Sequence, residues 1–173
     1  MNRRKLMSGA VVGAVAAATA RLGHAAESEI EVFAAHWRKS KDFTLKVADA
    51  MPAESYDYKP FAGARSFGGE MQHLAQAEGF YLARLAKTRP PAAPSGDTSK
   101  AATIKYLTAQ FDWSIGVVSQ LTSADLNRSF TGRGPSMTGI EMLYGAIVHT
   151  AHTRGYAEMF LRNKGITPPE YDI

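Results

Sequence analysis

Apolar positions recur at three- and four-residue steps along four stretches of this chain, the period of a helix that buries one face. The first stretch runs from about Ser28 to Met51 through Ile30, Phe33, Trp37, Ser40, Thr44 and Val47, and Pro52 ends it. An aromatic linker, Tyr56-Asp57-Tyr58-Lys59-Pro60, follows. The second helix is expected to start near Ser66, a suitable N-cap, with Phe67, Leu74, Ala77, Tyr81 and Leu85 as its apolar face. Pro90, Pro91 and Pro94 stop it. The third opens near Asp97 or Ser99 and runs to about Leu121, with Ile104, Leu107, Phe111, Ile115 and Val118 on its stripe. Ser123 to Ser136 reads as a long connection, with Gly132-Arg133-Gly134 as a loop tip.

The fourth helix has the clearest ends. Thr138 followed by Glu141 has the spacing of a capping box. Arg162 and Lys164 suit the negative end of the dipole, Gly165 suits a left-handed C′ position, and Pro168-Pro169 forbids continuation. Four amphipathic helices without convincing strand alternation predict an all-α four-helix bundle.

Charge changes the picture only at the N-terminus. Four of the 20 basic residues (Arg3, Arg4, Lys5 and Arg21) precede Glu27, the first acid, which leaves 16 against 16 acids. The remainder is neutral overall and shows no basic stripe, so nucleic acid is not an expected partner. Residues 1–26 have the plan of a signal peptide: Asn2-Arg3-Arg4-Lys5, then the mildly apolar run Met7 to Ala20, then small residues around Gly23-His24-Ala25-Ala26. The run is shorter than the roughly 18 apolar residues of a membrane span. The pair Arg3-Arg4 resembles a twin-arginine signal. A periplasmic mature domain over residues 27–173, free of the membrane after cleavage, is therefore expected. The chain has no cysteine, so a metal would have to be held through nitrogen and oxygen.

Four histidines remain after that leader: His36, His73, His149 and His152. At ~100° per residue His149 lies within the broad apolar face of the fourth helix, and His152 lies at its edge beside Gly145 and Tyr156. His73 occupies a shoulder of the second helix near Ala77 and Phe80. Histidines facing inward from two helices can converge on a divalent ion, or can each satisfy a hydrogen bond at the edge of the core. Glu70, one turn before His73, could serve as a general base or as a solvated residue of the helix start. Glu78 and Glu158 fall away from the histidine side and read as surface charges, while Arg154 reads as structural.

Two segments resemble a known family. Pro60, Arg65-Ser66-Phe67 and Gly69-Glu70-Met71-Gln72-His73-Leu74-Ala75 look like the second-helix motif of the DinB/YfiT-like proteins. His149-Thr150-Ala151-His152-Thr153-Arg154-Gly155, with the tail Leu161 to Tyr171, looks like their fourth-helix motif. The resemblance implies a four-helix bundle, a homodimer, and a three-histidine site for a divalent metal, zinc or nickel. Its first ligand falls on His73 and its second on His149. The third falls on Thr153, and the usual Gln after Arg-Gly is Tyr156. A hydroxyl is a poor ligand for these ions, so His152, three residues from His149, becomes the substitute candidate. Two readings follow. One is a metal-dependent hydrolase or transferase with a degenerate site of His73, His149 and His152, with Glu70, Thr153 and Tyr156 in the pocket. The other is a non-catalytic bundle that has kept the fold, lost the metal site, and binds an unidentified small molecule or a partner.

Overall fold

The computed structural model describes residues 29–132 and 134–171; the expected leader lies outside them. Four long helices form a bundle: α1 (residues 29–50), α2 (Phe67–Leu82), α3 (Lys100–Val118) and, after three small elements, α5 (Gly139–Asn163). The expected caps are in place. Ser66 Oγ accepts from Gly69 N at 3.1 Å, and Ser99 Oγ accepts from Ala102 N at 3.4 Å. Thr138 and Glu141 exchange bonds at the start of α5, with Thr138 N donating to Glu141 Oε2 at 2.7 Å. At its end Gly165 takes φ +73°, while Gly165 N and Ile166 N return to Arg162 O and Leu161 O.

The stretch after α3 departs from the expected connection. α3 stops at Val118, and the chain then forms a short helix α4 (Ser123–Asn127) and an antiparallel hairpin of β1 (Ser129–Gly132) and β2 (Gly134–Thr138). α4 is set by a capping box: Asp125 Oδ2 accepts from both Thr122 N and Thr122 Oγ1. In the hairpin Phe130 pairs with Met137, and Gly134 supplies φ +102° at the turn. Four- and five-residue strands are too short for alternation to register.

Contacts fix the helix directions. Trp37 meets Ser114 while Asp49 meets Lys100, so α1 and α3 are antiparallel. Gln72 meets Thr103 and Glu78 meets Ser114, so α2 and α3 are parallel. Phe67 packs on Phe160 and His73 on His149, so α2 and α5 are antiparallel. The order is up-down-down-up. Parallel neighbours need a connection that returns along the bundle, and the proline-rich residues 83–99 provide it. Gly68 sits where that return path crosses α2; a side chain there would collide with the Thr98 carbonyl.

The core is aromatic and aliphatic, with Trp37, Phe43, Phe67, Met71, Leu74, Phe111, Leu143 and Leu161 fully buried. Arg154 is also buried. Its Nη1 donates to Ser40 Oγ at 3.0 Å and Thr44 Oγ1 at 3.2 Å, and its guanidinium lies 4.6 Å from the Phe43 ring centroid. It ties α5 to α1, the structural role the sequence suggests.

Glu78 is a correction. It is not a surface charge but 1% exposed, inside the core. It does face away from the histidines, yet α2 is covered on both flanks, by α5 on one and α3 on the other. Burial raises its carboxyl well above the ordinary 4.5, against a smaller opposing effect from Ser114. A raised acid binds its proton more tightly in the folded chain, so its contribution is full below the unfolded value. That contribution falls as pH rises toward the folded value, by at most about 1.4 kcal/mol per pH unit. Glu78→Gln should therefore gain on the parent steadily as urea unfolding is repeated from pH 5 to pH 9. Parallel stability profiles for the two proteins would show that Glu78 carries no buried proton.

Candidate functional site

α2 and α5 bring His73 and His149 together. Their ring centroids lie 5.2 Å apart at 69°. Both rings are half-buried. Tyr81, two turns beyond His73, covers His149 from the side at 6.2 Å between centroids. Thr153 lies one turn beyond His149 on the same face, 1% exposed, with Oγ1 3.3 Å from His149 Nδ1. That is the stacking expected of residues four apart. His152 is exposed and packs edge-on against Tyr156 at 4.7 Å between centroids, and Tyr156 is itself 50% exposed. His36 is on α1, where it lines an apolar groove with Phe33, Ile140 and Ile147.

Glu70 differs from the solvated residue of the second expectation. It is 8% exposed, and its Oε2 receives Arg65 Nη1 at 3.2 Å. Arg65 precedes the N-cap of α2, so helical periodicity gives no sign of it. The Arg65–Glu70 spacing across Ser66 was the available signal.

The electrostatics of the pair have a definite sign. Burial lowers the His73 value below 6.5; the Arg65 charge lowers it further, and Glu70 opposes. Burial also lowers His149, followed by the neighbouring His73 and His152, with Glu70 opposing and Arg65 adding. Both imidazoles are therefore neutral at pH 7, each with a lone pair on one nitrogen. At His149 the Thr153 hydroxyl engages Nδ1 and leaves Nε2 as the free position.

The family model described as the DinB superfamily matches residues 36–157. The chain belongs to the DinB superfamily. Two solved structures share the fold of this DinB-superfamily protein. A DinB-like protein from Bacillus cereus superposes with a TM-score of 0.73 at 21% identity, covering 82% of this chain and 97% of its own. The DinB-like protein YjoA from Bacillus subtilis gives 0.67 at 18% identity, covering 80% and 95%. No curated protein matches the sequence.

The donor set does not fit the three-imidazole site that the DinB/YfiT-like resemblance implies. Among the described residues no three His, Asp or Glu side chains are grouped so as to hold a metal ion. Position 153 offers a hydroxyl already bonded to His149, Glu70 is directed at Arg65, and His152 is turned to Tyr156. What the DinB framework retains here is a neutral imidazole pair.

The pair gives a titration signature. In an NMR titration His73 and His149 should both have midpoints below 6.5. Arg65→Ala should move the His73 midpoint upward, because it removes a lowering charge and frees the opposing Glu70 carboxylate. A His73 midpoint that stays put in Arg65→Ala would contradict this account of the site.

Proposed function

We propose that this DinB-superfamily chain is a non-catalytic helical-bundle protein that binds a small molecule through the His73–His149 pair. The observation that carries the reading is the Thr153 hydroxyl, 3.3 Å from His149 Nδ1. It takes the place of a third imidazole and occupies a nitrogen of the second. Each neutral imidazole offers one N–H donor and one acceptor nitrogen, so the pair, flanked by Tyr81, suits a ligand with a polar hydrogen-bonding group beside an apolar body.

A metal-dependent hydrolase or transferase is the second reading, favoured by the 5.2 Å approach of the two rings. Zinc and nickel sites generally draw three or more protein ligands, so the two readings separate by affinity. Elemental analysis of untagged protein should find no stoichiometric metal. Thr153→His should raise zinc or nickel affinity in calorimetry by about tenfold or more, since outer changes alone are worth 10–100-fold. His149→Ala should cancel that gain. A parent protein that carries one ion per chain would overturn the binding reading in favour of the enzyme.

The reading also takes the chain to be exported to the periplasm, with residues 1–26 removed. N-terminal sequencing of the protein from a periplasmic fraction should give a start near Ala26 or Glu27. Material starting at Met1 or Asn2 would refute export by this leader.

A further inference from the structure

Away from the histidines, the middle of the bundle holds polar side chains from three helices. Trp37 of α1, Glu78 of α2, and Gln110 and Ser114 of α3 are all buried at 0–1% exposure. Their protons can be assigned. Trp37 Nε1 donates to Ser114 Oγ at 2.9 Å, and Ser114 Oγ donates its own proton to the Phe111 carbonyl at 2.9 Å. Glu78 Oε2 lies 3.5 Å from the same hydroxyl. An ionised carboxylate would face an oxygen whose only proton is engaged elsewhere. As the neutral acid, Glu78 can instead donate from Oε2 into the remaining lone pair of Ser114 Oγ.

That assignment leaves Glu78 Oε1 as an acceptor. It has no hydrogen-bond partner among the described residues, and neither end of the Gln110 amide has one. The two groups share a level of the bundle. Gln110 Nε2 lies 3.3 Å from the point where a Cβ on Gly79, the residue after Glu78, would stand. A buried polar atom left without a partner costs about 1–3 kcal/mol, and such atoms in native proteins are normally satisfied, often by an ordered water. Here Glu78 faces Ser114 and Gly79 faces Gln110, one turn before Ser114, so a donor and an acceptor lie on facing stretches of the parallel helices α2 and α3.

We propose that Glu78 and Gln110 form an internal hydration site, in which an ordered water accepts from the Gln110 amide and donates to Glu78 Oε1. The water completes a chain from Trp37 through Ser114 and Glu78 to Gln110, and so joins α1, α2 and α3 through their polar atoms. Gly79 is part of the site, since a side chain there would press on the Gln110 amide.

The test is a high-resolution crystal structure of the mature chain, paired with water cross-relaxation measured at the Gln110 side-chain amide. A solvent peak should lie at about 2.7–3.2 Å from both Gln110 Nε2 and Glu78 Oε1. The amide should show a long-lived water contact that Glu78→Leu abolishes and Glu78→Gln, which keeps an acceptor oxygen, retains. A direct Glu78–Gln110 hydrogen bond with no intervening density would overturn the proposal. So would density larger than a water, or a water contact that survives Glu78→Leu. If Glu78→Leu does not fold, the parent crystal structure and Glu78→Gln still decide between these outcomes.

Discussion

The close approach of α5 to α2 governs where the chemistry of this protein lies, and Gly145 permits it. A Cβ at that position would stand 2.5 Å from Cε1 of the Tyr81 ring, inside any tolerable contact. Without one, the Tyr81 ring packs close to the α5 backbone at Gly145 and still reaches His149 one turn on. The register then follows along both helices. Phe67 meets Phe160 at one end and His73 falls opposite His149 further along, while Arg84, just past α2, donates to the Pro135 carbonyl of β2, which leads into α5. The same packing removes water from the imidazoles, which is the first cause of their lowered basicity.

Helix direction imposes a second constraint. With α2 and α3 parallel, α2 is walled on two sides and has little free surface. Its buried residues include Glu70, Gln72 and Glu78 as well as the expected apolar ones. Each polar group meets a different need. Gln72 Nε2 donates to the Asp97 carbonyl and Thr103 Oγ1, which pins the returning loop to the start of α3. Glu70 is directed to Arg65, and Glu78 points into the core. The polar content of α2 thus reflects its central position.

That double burial also explains what the sequence revealed and what it concealed. The helix ends were legible because caps are local chemistry: Ser66, Ser99, Thr138 with Glu141, and Gly165 act within one turn of themselves. The pairing of His73 with His149 was legible through the family motifs and the inward shoulders of two helices. Glu78 was misplaced because a helical wheel assumes one wet face, and α2 has two dry ones. α4 and the hairpin escaped because each is shorter than the window in which a period can be recognised. Arg65 escaped because it lies outside the helix whose charge it controls.

Thr153 is the residue through which these constraints meet at the site. Its position is 1% exposed, so it is as much a core residue as Ala157 one turn on. A small side chain fits there without strain, and its hydroxyl can either donate to His149 Nδ1 or accept from it. The bond limits the tilt of the ring in either tautomer. An imidazole at the same position would need extra room in a packed layer, and overpacking of that kind costs about 1–3 kcal/mol. Threonine at this position avoids that cost. The hydroxyl at position 153 and the packing of His152 on Tyr156 therefore leave the α2–α5 layer closely packed around the imidazole pair.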